Sequence, residues 1–197
     1  MAAALSITLW AGVAALFLAA PAAAFDLPSQ AVEALEEGRP YVDVRPDPDG
    51  SSGRIRAAID VAAPAAVVWT VMTDCNLAPK LVSKLKSCRI LEADPAGAWD
   101  VREYISRMTF LPPVRNVFRS DYDPERRIRF HRTAGDLAVF EGEWRLEPQA
   151  DGAVRVFYEN RVAAPFHVPG LVARIALRRE VPIALLALRR ESVARAR

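Results

Sequence analysis

Hydrophobic and polar positions alternate through most of the chain beyond residue 53, and turn residues interrupt the alternation at hairpin spacing. Between 53 and 195 the pattern predicts one strand, two short helices, six further strands in a meander and one long closing helix. The first strand is Arg54–Val61. Pro64 then stands where proline is preferred, in the first turn of a helix. Ala65–Thr73 fits that helix, with Val68 and Met72 one turn apart and Trp69 beside them. A second short helix is predicted over about Leu77–Leu85. The other strands fall near Ser87–Ala93, Trp99–Met108, Val114–Asp123, Arg127–Arg132, Leu137–Glu147 and Ala153–Val162. Turns are predicted at Asp94-Pro95-Ala96-Gly97, Asp123-Pro124-Glu125 and Gln149-Ala150-Asp151-Gly152. The closing helix runs from about Pro169 to Ala194, and Pro182 inside it is expected to kink or split it by displacing a backbone hydrogen bond.

This order of elements builds a hollow. A single helix laid across a strongly curved antiparallel sheet leaves space between them, and the natural occupant is an apolar small molecule. The expected class is α+β: a seven-stranded curved antiparallel sheet wrapped around the long C-terminal helix, with two short helices after the first strand.

The segment ahead of this domain changes the expected location. Leu5–Ala20 is apolar and is followed by Pro21 and the small run Ala22-Ala23-Ala24, and the first charged residue after Met1 is Asp26. That is the pattern of a secretory leader cleaved after Ala24, so that the mature chain begins at Phe25. No Lys or Arg precedes the apolar stretch, which leaves an uncleaved membrane anchor as the alternative. On either reading the domain lies outside the cytoplasm, periplasmic or secreted. Ser29 followed by Gln30-Ala31-Val32-Glu33 and ending at Gly38 reads as a short helix, Tyr41–Arg45 as a strand and Pro46–Gly53 as dense turn chemistry. The organisation expected is a leader at 1–24, a helix-and-strand appendage at 25–52 and one domain at 53–195.

Charge and cysteine content narrow the partners. Lys and Arg number 26 against 24 Asp and Glu, a formal net charge of +2, and the signs interleave, so no nucleic-acid partner is expected. The three lysines, Lys80, Lys84 and Lys86, cluster in or beside the second short helix, as a solvated face or as a weak contact for acidic lipid headgroups. Cys75 and Cys88 are the two cysteines of the chain. An even count in an oxidising compartment favours a disulfide over two inert buried thiols, and the spacing fits neither a zinc site nor a redox motif.

The stretch Ile-Asp-Val-Ala-Ala-Pro-Ala-Ala-Val-Val-Trp-Thr-Val-Met-Thr-Asp from Ile59 to Asp74, with Gly-Asp-Leu-Ala-Val-Phe-Glu-Gly-Glu-Trp-Arg-Leu from Gly135 and Pro-Phe-His-Val-Pro-Gly-Leu-Val from Pro165, resembles the helix-grip superfamily. These are the START-like and polyketide cyclase/dehydrase proteins, and the resemblance is nearest to their coenzyme Q-binding branch. It implies a shared cavity rather than a shared catalytic signature.

Strand periodicity selects the cavity face. Asn116, Phe118, Ser120 and Tyr122 share one face with Val114; Phe130 lies with Ile128; Phe140 and Trp144 with Gly142 and Leu146; and Val156, Tyr158 and Asn160 with Val154. Their charged neighbours point the other way. A few polar groups among hydrophobes suit a pocket that orients an apolar ligand, and the competing reading is an ordinary core in which those groups satisfy one another. In Trp99–Met108 the faces are ambiguous. Glu103 shares a side with Trp99, Val101 and Ile105, and is read as a charged partner at the strand edge.

Meander parity places the turn at Met108–Pro113 and the exit at Pro165–Pro169 at the same end, and both are apolar. In the superfamily such loops frame a cavity mouth, so Phe110, Leu111, Phe166, Val168 and Leu171 are expected to form a portal, with peripheral membrane contact, or to plug the core. His167 lacks an identifiable partner and His131 is assigned to the outer face. No H-E-x-x-H, G-x-S-x-G, phosphate loop or metal-ligand cluster is present in the sequence, so no catalytic residue, metal or cofactor is assigned. The function expected is binding or transport of a lipid, quinone or polyprenoid by a monomer. The alternative is a cyclase, dehydrase or hydrolase acting in the same cavity.

Overall fold

The structure, a computed structural model, describes residues 27–47, 52–107, 112–164 and 170–197. The leader, the start at Phe25 and the loops carrying Phe110, Leu111, Phe166, His167 and Val168 lie outside the described residues. The elements are helix α1 (Ser29–Glu36), strands β1 (Tyr41–Pro46) and β2 (Gly53–Val61), and helices α2 (Ala65–Thr73) and α3 (Ala78–Leu81). Then come β3 (Leu85–Ala93), β4 (Trp99–Ser106), β5 (Val114–Asp123), β6 (Arg127–Gly135), β7 (Val139–Pro148) and β8 (Val154–Ala163), and the closing helix α4 (Gly170–Arg195).

All strands join one antiparallel sheet in the order β1-β2-β8-β7-β6-β5-β4-β3. The meander from β3 to β8 is completed by β2 alongside β8, and α4 lies against β1, β2, α2 and α3. The fold is the expected helix-grip arrangement with eight strands instead of seven. The additional strand is β1, paired with β2 from Tyr41↔Ala58 to Pro46↔Gly53. Val44 is buried and Val42 packs on the main core, so the inward side of this strand extends the hydrophobic face. On the opposite face α1 sets Leu35 over Ala58 and Phe157. The lead-in segment is therefore built into both sides of the sheet.

Two helices depart from expectation. The second short helix is a single turn, Ala78–Leu81, so only Lys80 is helical. Lys84 sits at φ 63° in the following turn and Lys86 is already in β3. Leu85, 5% exposed, drives its side chain into the core immediately after that turn and starts β3 earlier than hydrophobic periodicity suggests. In α4 the helix continues unbroken through Pro182. Val181 on one side of the proline and Leu185 and Leu188 on the other all bury in the same core, which offsets the missing backbone hydrogen bond.

One end of the space under α4 is solid. Ile59, Val61, Val68, Val71, Leu146 and Val154 fill it. The Cys75–Cys88 disulfide, with Cα atoms 5.4 Å apart, fastens the link between α2 and α3 to β3. A closed loop of this size contributes about 3 kcal/mol in the chain-entropy view.

Candidate ligand cavity

Beyond that solid end, α4 and the inner face of the sheet enclose a cavity of about 510 Å³. Asn116, Phe118, Ser120 and Tyr122 of β5, Phe130 of β6, Phe140 and Trp144 of β7, and Tyr158 and Asn160 of β8 all line it. Val156 does not. It is fully buried in the core, where Val68, Val181 and Leu185 belong to the same cluster and occupy the space in front of it. The alternation along each strand is right; the far end of the hollow is filled by α2 and α4.

Seven aromatic rings line the sheet side of the wall. Phe118 meets Tyr104 edge-on at 4.9 Å between centroids and Phe140 at 5.1 Å, and Phe130 lies 4.9 Å from Phe140. Trp144 stacks on Tyr158 at 4.0 Å. Such pairs contribute about 0.5–1.5 kcal/mol beyond area burial and give the wall fixed rotamers. Leu177, Val181, Leu185 and Leu188 close the cavity from α4.

The wall also carries a charged cluster on β4, the strand whose faces sequence periodicity leaves ambiguous. Arg102 and Asp100 are 4% and 5% exposed and form an ion pair, with Arg102 Nε donating to Asp100 Oδ1 at 3.0 Å and Nη2 to Oδ2. Nη2 also donates to Tyr122 Oη at 2.6 Å and to the Thr73 carbonyl at 3.2 Å, and Tyr122 Oη donates to Asp100 Oδ2 at 2.6 Å. Burial alone would lower the Arg102 pKa. The hydrogen bond to Asp100, with the neighbouring Tyr122 and Tyr104 oxygens and the Asp100 charge, turns the net shift upward, so the guanidinium stays charged. Burial raises the Tyr122 phenol well above its ordinary range despite the opposing Arg102 charge.

Arg102, Tyr104 and Ser106 line the cavity, whereas Glu103 points outward and bridges Arg89 at 2.9 Å and Arg115 at 2.5 Å. The register settles which face is inward: Arg102 lies opposite Phe118 and Tyr104 opposite Asn116, so these β4 side chains share the face of their β5 partners. His131 is exposed on the outer face, as expected.

A second polar group stands on β8. Asn160 Nδ2 donates to Tyr158 Oη at 2.6 Å, and Asn160 Oδ1 is buried without a hydrogen-bond partner among the described residues. Asn116 Oδ1 on β5 is in the same condition. Burial raises the Tyr158 phenol, the Asn160 contact opposing, so Tyr158 is a neutral donor.

The open side is framed by the turn after α3 and the first turns of α4. Val82, Ser83 and Lys84 face Ala176, Leu177 and Glu180 across it, and Lys84 Nζ donates to Glu180 Oε1 at 2.8 Å. Val114 and Ala164, which flank the two apolar loops, also line the cavity. Leu171, the portal residue within the described range, is 60% exposed on α4. No group of His, Cys, Asp and Glu with the makings of a metal site occurs among the described residues.

A helix-grip fold with an apolar cavity beneath its closing helix defines the architectural class. The chain belongs to the polyketide cyclase / dehydrase and lipid transport family, whose model matches residues 61–189. Comparison with curated proteins finds no match. Among solved structures it is similar to a STAR-related lipid transfer protein from Xanthomonas axonopodis, at 19% identity and TM-score 0.66, covering 79% of this chain and 94% of that one. It is similar to the Zhui aromatase/cyclase from a Streptomyces species at 18% identity and TM-score 0.58, covering 74% and 93%. The lipid transfer and protein localization domain of human StarD13 gives 16% identity and TM-score 0.60, covering 83% and 93%. At these identities the likeness is one of fold.

Proposed function

We propose that this protein binds a hydrophobic small molecule, a lipid, quinone or polyprenoid, outside the cytoplasm and carries it without converting it. The observation that carries the reading is the cavity of about 510 Å³, walled by aromatic and aliphatic side chains and holding a few fixed polar groups. The apolar run before Pro21, the A-x-A site and the Cys75–Cys88 bond support an oxidising compartment and a mature chain starting at Phe25. The test is mass spectrometry on protein from its native envelope. Organic extracts should contain a stoichiometric apolar compound, and the intact chain should lack its first 24 residues. Empty protein would remove the carrier reading, and a retained leader would replace secretion by anchoring.

Exchange at a membrane surface fits the outer side of α4. Leu171, Val172 and Ile175 are 60%, 55% and 60% exposed, with Arg174, Arg178 and Arg179 beside them, while Ala176 and Leu177 of the same turns line the cavity. Apolar side chains flanked by arginines suit the interface of an anionic bilayer. Changing Val172 and Ile175 together to Ser should reduce retention on phosphatidylglycerol vesicles several-fold and shift Tm by only a few degrees, since both positions are solvent-facing. Unchanged retention would move membrane contact elsewhere.

A second reading, a cyclase or dehydrase, draws on Arg102, Tyr104 and Tyr122 at the cavity wall. Burial keeps both phenols protonated, which suits donation to a substrate carbonyl rather than proton abstraction. Recovery of the extracted compound unchanged after prolonged incubation with the protein separates carrier from enzyme.

A further inference from the structure

The unmet hydrogen-bonding capacity of the cavity identifies the head of the molecule it takes. Asn116 and Asn160 are each 6% exposed, and both line the cavity. Each has a buried Oδ1 without a hydrogen-bond partner among the described residues. An unmet buried amide is costly, and native interiors rarely leave one. Here two of them face the same hollow, on β5 and on β8.

What these groups demand does not depend on which way the amides are turned. With Asn160 Nδ2 donating to Tyr158 Oη, the pair offers the Asn160 carbonyl as acceptor and the Tyr158 hydroxyl hydrogen as donor. With the amide reversed, Tyr158 donates to the carbonyl, and the pair offers the amide hydrogens as donor and the phenolic oxygen as acceptor. Asn116 likewise carries one donor group and one acceptor group. Each site therefore presents both functions and no net charge. The two cations of the described wall are already matched: Arg102 spends Nε and Nη2 on both Asp100 oxygens, Tyr122 and the Thr73 carbonyl, and Lys84 at the open side is paired with Glu180. A buried carboxylate would compete with Asp100 for a single guanidinium. It would also bring only acceptors to sites that need a donor.

We infer that the ligand is a neutral hydrophobic molecule bearing hydroxyl, whose O–H both donates to an asparagine carbonyl and accepts from the adjoining donor. This inference rests on the carrier reading above and narrows its ligand class.

The experiment titrates delipidated full-length protein with 1-dodecanol, its methyl ether and dodecanoate at pH 8, following tryptophan fluorescence, since Trp144 lies in the wall. The ether keeps the chain and the oxygen acceptor but lacks the donor, so it removes the general preference of an apolar cavity for uncharged molecules. Dodecanol should bind about ten-fold or more tightly than the ether, the discrimination expected when a buried polar partner is left unpaired. In the triple variant Asn116→Leu/Tyr158→Phe/Asn160→Leu, the alcohol and the ether should bind within about two-fold of each other, because the unmet amides and the phenol paired with one of them are gone. Equal affinity for ether and alcohol in the unmodified protein overturns the inference, without need of a variant that folds. So does tighter binding of dodecanoate, which would make a cation of the wall the anchor, or a preference that survives in the triple variant. Failure of all three probes to bind would instead overturn the carrier reading, and this inference with it.

Discussion

Arg102→Met should lower the free energy of unfolding by about 3–5 kcal/mol, the range for breaking a buried ion pair from one side. Arg102 and Asp100 are both almost fully buried, and the guanidinium supplies two of the three hydrogen bonds that Asp100 receives within the cluster. Methionine fills the volume of the arginine stem but leaves a carboxylate in an apolar wall with Tyr122 alone as donor. Coulombic attraction is then lost while the desolvation cost of the anion remains. The double change Arg102→Met/Asp100→Leu removes both charges and should recover most of the loss, because replacing a buried pair by hydrophobes is often neutral or stabilising. Urea denaturation of the single and double variants measures the difference. A single-variant loss below about 1 kcal/mol would mean that water reaches the pair and screens it. The double variant should still bind 1-dodecanol, since the amides assigned to its hydroxyl lie on β5 and β8.

How far the fold could be read before the structure depended on where burial is one-sided. Strand β5 matches its predicted bounds, Val114–Asp123, because its charged residues, Arg115, Arg119, Asp121 and Asp123, all fall on one face. The same alternation brings nine of ten predicted inner-face residues to the cavity wall, Val156 excepted. In β4 the rule does not decide. Trp99, Val101 and Ile105 are the apolar side, and hydrophobicity alone directs them inward, yet they face out. Trp99 is covered there by the Arg119 guanidinium, 4.2 Å from its ring centroid. The inward side is Asp100, Arg102, Tyr104 and Ser106, whose burial is sustained by the Asp100–Arg102 pair together with cross-strand contacts to Tyr122 and its neighbours that no local window contains. A usable signal existed: once β5 is oriented, hairpin register forces the facing residues of β4 onto the same side.

The other misreadings have equally local causes. Six residues of β1 alternate well enough to mark a strand, but alternation does not say which sheet edge the strand joins. The helix expected over Leu77–Leu85 stops after one turn at an extended Val82, and the left-handed Lys84 then turns the chain so that Leu85 enters the core. The vacant amide groups of Asn116 and Asn160 could not be read at all. Their residue types and face were visible, but whether a partner reaches them depends on the shape of the finished cavity.

Gly142→Ala should cost on the order of 4 kcal/mol and weaken binding of 1-dodecanol, combining overpacking with damage to the strand pairing beside it. A Cβ built on Gly142 would lie 2.0 Å from the Glu159 carbonyl oxygen, 2.8 Å from Asn160 Cα and 2.9 Å from Phe130 Cζ. The first two are backbone atoms of β8, so no side-chain rotation relieves them. Strands β7 and β8 must move apart at the Gly142↔Asn160 pair, which weakens neighbouring ladder bonds worth about 1 kcal/mol each. The third contact displaces the Phe130 ring from the aromatic wall. The same movement carries Asn160 and its Tyr158 contact away from the cavity and disturbs the Trp144–Tyr158 stack. By contrast, Gly97 and Gly152 have open space where a Cβ would go, so alanine there meets only the strain of a positive φ. Thermal melting of the three alanine variants should therefore rank Gly142→Ala far below the other two. Its folded fraction should bind 1-dodecanol more weakly than wild type. Equal melting of all three would show that β7 and β8 can part without loss and that the tight approach at Gly142 does not shape the site.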